Sequence, residues 1–129
     1  MLAHARPLLA ELDLERALDA RVAHYSSGMR QKLSLVRATF LDPILLLLDE
    51  PTANLDPLSS RSIHHAVRQQ ADRGRAVVLV THDLDAAAAL CDRVLFLDRT
   101  PLSWETFTTP RADPALSPLY AIYEQVVRR

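Results

Sequence analysis

The sequence predicts an α/β fold built on a parallel sheet, and three observations carry that reading. Two short apolar runs, Ile44-Leu45-Leu46-Leu47-Leu48 and Ala76–Val80, have the length of strands and lack polar alternation, the pattern of strands covered on both faces. Between them lies a helical stretch that starts at Asp56-Pro57 and stops at Gly74, so a crossover helix joins the strands and they run parallel. Both runs end in residues fit for chemistry, Asp49-Glu50 after the first and Thr81-His82-Asp83 after the second. Ligands of open α/β sheets bind beyond the carboxyl ends of the strands.

The remaining elements follow in order. Residues 2–11 and 14–22 read as two amphipathic helices, the second from Leu14, Leu18 and Val22 spaced four apart. Ser26 or Ser27 caps a third helix whose apolar face is Met29, Leu33, Val36 and Phe40, ending at Asp42-Pro43. Asp83 caps an alanine-rich helix that runs through Leu90. Residues 94–97 read as a third strand, a parallel neighbour of the other two, with Asp49, Glu50 and His82 at one edge of the sheet. From Thr100 onward the pattern decays under Pro101, Pro110, Pro114 and Pro118, leaving only residues 119–127 as a terminal helix.

Composition narrows the function classes. A chain of 129 residues with 49% apolar side chains suits one soluble core, and 15 basic against 16 acidic residues give no field that would draw nucleic acid or an anionic membrane. The one cysteine, Cys91, forms no internal disulfide and offers no metal-ligand spacing. No apolar run approaches the roughly 18 residues of a membrane span, and the N-terminus, with His4 and Arg6 before Pro7, does not read as a signal peptide, so a cytosolic location is expected. The glycine count excludes more than any of these. A phosphate-cradling loop of the form G-x-x-x-x-G-K-[ST] needs two glycines before its lysine; only Gly28 and Gly74 occur, and Lys32 follows just one.

Taken singly, the candidate residues have plain readings beside the chemical ones. Ser-Ser-Gly before a helix is a common cap, although a helix start also collects free N–H groups that bind phosphate oxygens. An Asp-Glu pair at a strand end is commonly solvated, and His82 reads equally as a capping or packing residue. His64, His65, Cys91 and Trp104 read as structural or surface residues.

Together, four motifs in order resemble the C-terminal half of an ATP-binding cassette (ABC) transporter ATPase domain. Ser26-Ser27-Gly28-Met29 with Arg30-Gln31-Lys32 is similar to the signature motif, residues 44–50 to Walker B, Ala53-Asn54-Leu55-Asp56 to the D-loop, and His82 to the switch histidine. Against the family's usual Leu-Ser-Gly-Gly-Gln, Tyr25 replaces the leucine, Ser27 the first glycine and Met29 the glutamine, a variant resembling exporter-type cassettes. The Walker A loop, the adenine-stacking aromatic and the glutamine loop belong to the N-terminal half, which this chain lacks. The resemblance implies a P-loop NTPase-type cassette present in part. Residues 1–43 correspond to the helical signature subdomain, 44–99 to the C-terminal part of the ATPase core and 100–129 to an extension.

The resemblance further implies ATP and Mg²⁺ as cofactors. Asp49 is the metal ligand, Glu50 the group that polarises water, and His82 the residue that fixes the γ-phosphate and that water. Ser26, Ser27, Gly28 and Met29 belong to the nucleotide-binding face, presented to ATP held by a partner, and Asp56 to the dimer seam. The implied partners are a second ATPase subunit and a transmembrane permease, with no nucleic acid, at the inner face of the membrane. The implied function is an ATPase subunit coupled to transport, export in the sense of its signature variant, and inactive as this half alone. The alternative is a non-catalytic half-cassette that only lends its signature face to a partner ATPase. An uncovered apolar sheet face and an unpaired strand edge are expected of such a half.

Overall fold

The structure is a computed structural model that describes residues 5–98, 100–106 and 123–124. Two compact units divide the chain, residues 1–80 and 81–129.

The first unit opens with helix α1 (Arg6–Glu11), carrying Pro7 in its first turn, where a missing N–H costs nothing. Asp13 then takes a left-handed φ of 53°, and the Leu14 N–H turns back to the Leu9 carbonyl at 2.8 Å. That reversal ends α1, and the second amphipathic helix expected over 14–22 does not form. Leu14 is buried at 1% exposure, but Leu18 and Val22 point outward at 51% and 52%, and the segment holds only 3-10 turns at Glu15–Ala17 and Val22–His24. Helix α2 (Ser27–Thr39) follows, capped by Ser26, whose Oγ accepts the Met29 N–H at 3.1 Å. Leu35 and Val36 are its buried apolar side chains, with Met29, Leu33 and Phe40 packed at the margin of the core.

Strand β1 (Leu45–Asp49) pairs in parallel with strand β2 (Ala76–Val80), from Leu45 opposite Ala76 to Asp49 opposite Val80. The crossover is helix α3 (Pro57–Asp72), which runs to a glycine C-cap where Gly74 adopts φ +88°. An ion pair between the Arg75 guanidinium and Asp42, with the Ala76 N–H on the Ile44 carbonyl at 2.9 Å, aligns the two strand entries. The core of this unit gathers Leu8, Leu9 and Leu12 of the α1 region, Tyr25, Leu35 and Val36, and the Ile63, Ala66 and Val67 stripe of α3.

Burial on both faces of β1, which the apolar run predicts, does not hold. Leu46 is 2% exposed, whereas Ile44, Leu45 and Leu47 are exposed at 88%, 46% and 71%. Leu48 and Val77 pack against the helical core, while Leu45, Leu47, Val78 and Val80 on the opposite face do not. A two-stranded sheet with helices on one side leaves its other side uncovered.

The second unit holds helix α4 (Leu84–Leu90), capped by Asp83, whose Oδ1 accepts the Ala86 N–H at 2.9 Å. Strand β3 (Arg93–Asp98) follows, then strand β4 (Thr100–Thr106). Two expectations are corrected here. The third strand joins no parallel sheet with β1 and β2; it pairs antiparallel with β4, Arg93 opposite Thr106. The segment after Thr100 is a strand despite Pro101, which the ladder accommodates beside a register shift between Phe96 and Leu97. Ala87 and Phe96 form this unit's small core, and the Phe96 and Tyr123 rings lie 6.2 Å apart. Of the terminal helix expected over 119–127, only Tyr123 and Glu124 fall among the described residues, and both are helical.

Candidate functional site

Seven of the eight candidate residues lie in the first unit. Asp49 is the last residue of β1 and is exposed, as its place at the carboxyl edge of a parallel pair requires. Glu50 has already left the strand: its backbone turns left-handed at φ 43°, uncommon for a residue with a side chain. Two bonds hold it there, its N–H on the Val80 carbonyl at 2.8 Å and its own carbonyl accepting the Ala53 N–H at 3.1 Å. Strand alternation therefore does not govern the direction of Glu50 relative to Asp49; the turn does. Strained backbone of this kind concentrates at functional sites, where the surroundings over-determine it.

The turn continues through buried Pro51 to Asn54, also left-handed at φ 59°, and ends on Asp56. Asp56 caps α3, its Oδ1 accepting the Leu58 and Ser59 N–H groups at 3.0 and 2.9 Å. The Ser59 hydroxyl, then the Ser59 N–H, hold its carboxyl below the usual carboxylate range.

The signature-like residues meet this turn. Ser26 is exposed and caps α2; Ser27 is exposed, Met29 half-buried and Gly28 buried. A Cβ on Gly28 would stand 3.3 Å from the Ser59 Oγ and 3.8 Å from Leu55 Cδ2, so the starts of α2 and α3 touch where Gly28 has no side chain. Tyr25 locks the entry to α2 from below. It is buried at 6%, its hydroxyl donates to the Ala17 carbonyl at 2.7 Å, and its carbonyl accepts from Arg30 Nη1 at 2.6 Å. A cleft of about 190 Å³ lies between α2 and the end of β1, with Gln31, Ser34, Leu47 and Asp49 on its walls.

His82 belongs to the second unit, exposed, two residues beyond the end of β2. Among the described residues no group of three or more His, Cys, Asp or Glu forms a metal site. Asp49 nonetheless suits Mg²⁺, which takes one or two carboxylates and completes its shell with water and substrate phosphate. Sequence reading missed Ser59 and Tyr25 as supports of this site. For Ser59 the available signal was its place three residues after the Asp56 cap.

Comparison with known proteins gives the following. Residues 1–53 match the family described as ABC transporter. The chain is 44% identical over 91 residues to the Nod factor export ATP-binding protein I of Rhizobium meliloti, covering 70% of this chain and 27% of that protein. It is 43% identical over 90 residues to a fluoroquinolones export ATP-binding protein of Mycobacterium tuberculosis, covering 70% of this chain and 30% of the relative. Among solved structures it is similar to an ATP binding subunit of an ABC transporter, at TM-score 0.69 and 38% identity, over 78% of this chain and 42% of that one. An ATP-binding cassette at 21% identity and TM-score 0.69 shares the fold. The chain thus spans under a third of the length of these two curated relatives.

Proposed function

We propose that this chain carries part of the ATPase domain of an ABC transporter and serves an ATP-hydrolysing subunit that powers export; its match over residues 1–53 and its similarity to export ATP-binding proteins support the reading. The observation that carries the reading is the Asp49-Glu50 turn. A carboxylate ends the central strand, and the next carboxylate is held in a left-handed conformation by the end of β2, within the same unit as the capped start of α2.

In this reading Glu50 accepts a proton from the attacking water, and His82 orients that water and the γ-phosphate. Ser26, with the Ser27 and Gly28 N–H groups, donates to the γ-phosphate of ATP held by a second ATPase subunit, Met29 lies beside it, and Asp56 lies at the seam. Asp49 holds Mg²⁺, which when bound neutralises charge on the phosphates. The parts fall at 1–43 for the signature subdomain, 44–99 for the core and 100–129 for an extension. The site works at the cytoplasmic side of a membrane against a permease; among the described residues no helix is long and apolar enough to cross a membrane itself.

Positioning is nearly the whole of phosphoryl transfer, and this sequence holds no G-x-x-x-x-G-K loop to grip the β- and γ-phosphates. The isolated chain is therefore expected to turn over no ATP. Supplying a complementary polypeptide with that loop should restore turnover, and Glu50→Gln should remove most of it while leaving nucleotide binding intact. Hydrolysis by the purified chain alone that vanishes in Glu50→Gln would overturn the inactivity, and binding to an intact ATPase without any Glu50-dependent turnover would favour the interaction module.

A further inference from the structure

The stretch that leads into α2 is held together by short-range bonds. Ala17, Leu18, Ala20, His24 and Tyr25 each donate a backbone N–H to a carbonyl three residues back, at 2.8 to 3.3 Å. Bonds of that reach shape turns and do not decide where the segment lies. Among the described residues one bond of this stretch reaches further: the Tyr25 hydroxyl donates to the Ala17 carbonyl at 2.7 Å, across eight positions. Ala17 packs against the core, and the Tyr25 ring lies in it at 6% exposure. A buried phenol needs a partner for its O–H, whereas a leucine, the family's usual residue at this place, would fill the core without one.

Tyr25 is also tied to α2. Its carbonyl accepts from Arg30 Nη1 at 2.6 Å, and that carbonyl belongs to the peptide joining Tyr25 to Ser26, the cap whose Oγ takes the Met29 N–H. Arg30 sits on α2 and travels with it, so its bond passes a position on and does not set one. The bond to Ala17 sets it. We propose that Tyr25 is a positioning residue: its hydroxyl, anchored on Ala17, holds the peptide before Ser26 so that the Ser26 hydroxyl and the Ser27 and Gly28 N–H groups keep one direction. Its effect on turnover rests on the ATPase reading above; its hold on the start of α2 does not. Burial alone leaves a ring free to slide and turn in an apolar site, because apolar attraction is non-directional, and a hydrogen bond supplies the direction.

The test is Tyr25→Phe, which deletes the oxygen, keeps the ring and strands no donor, since the Ala17 carbonyl retains the Ala20 N–H at 3.0 Å. Amide exchange on the chain itself carries the decision. Loss of one net hydrogen bond should speed exchange at Ala20 and Met29 about fivefold, while Val67 in the middle of α3 stays as protected as before. Equal acceleration at Met29 and Val67 would make the hydroxyl a support of global stability, and unchanged exchange at Met29 would mean that it does not reach the cap; either result overturns the proposal. In the reconstituted ATPase, Tyr25→Phe should lower kcat about fivefold at unchanged KM for ATP, because Ser26 meets only the γ-phosphate of a nucleotide that the partner holds. A positioning residue acts through the group it positions, so in a Ser26→Ala background the same change should cost no more than about twofold further. Equal losses in the two backgrounds overturn the proposal as well. A reconstituted pair that hydrolyses no ATP even with Tyr25 in place counts against the ATPase reading, while exchange on the chain alone decides the role of Tyr25.

Discussion

The two faces of the β1–β2 sheet carry the same kinds of side chain and have different fates. Leu46 is 2% exposed, and on the same face Leu48 and Val77 pack against the core that holds Ile63, Ala66 and Val67. One residue along on each strand, Leu47 and Val78 stand opposite each other at 71% and 50% exposure. Nothing in the residue types distinguishes these positions. The difference lies in which side of the sheet the crossover helix covers, so the apolar run reports that a strand belongs in a sandwich and not that both layers are present.

The largest expected contrast is between removing side chains on either side. Ile63→Ala empties a fully enclosed position and should cost about 3 kcal/mol, whereas Leu47→Ala should change stability by about 0.5 kcal/mol or less. Denaturant unfolding of the two variants checks this, and equal losses would erase the distinction between the faces.

A change on the covering helix sharpens the comparison from inside. Gln70 is 1% exposed, and neither of its amide atoms finds a hydrogen-bond partner among the described residues. Replacing this orphaned amide with a similar-sized apolar group, Gln70→Met, should raise stability by about 1 kcal/mol, read as a higher denaturant midpoint at unchanged slope.

The covered face also depends on the cap of α3, and that cap titrates. The folded-state pKa of Asp56 lies below its ordinary value of 3.8, so the stability it contributes is complete above the unfolded pKa and lost as pH falls through the folded one. Unfolding curves of the parent and Asp56→Asn should therefore diverge above pH 4 and converge in stronger acid. A difference that persists at the acid end would mean that the charge on Asp56 is not what matters.

The smallest stability effect is expected on the bare face, where the readout is stickiness. Leu47→Thr with Val78→Thr should leave unfolding nearly unchanged and reduce binding of a hydrophobic dye. Unchanged dye binding would locate the exposed apolar surface elsewhere.

What the sequence determined by itself was everything that acts over a few residues. A cap at Ser26 or Ser27, those at Asp56 and Asp83 and the stop at Gly74 were legible because a side-chain oxygen meets an N–H two or three positions on, and because glycine alone enters φ +88° without strain. The parallel pair followed from two apolar runs joined by one helix. The place of Asp49 and Glu50 at the end of β1 was legible because an apolar run that gives way to carboxylates marks where a strand meets solvent. Tertiary structure decided the rest. Residues 14–22 hold 3-10 turns where periodicity favoured a helix, and the pairing of β3 with a proline-bearing strand was open because strand partners are chosen across the chain. It decided which face of β1 was covered, and it brought the Ser59 side chain against Gly28. Such contacts join residues about thirty positions apart, where no local spacing rule records them and only packing brings them together.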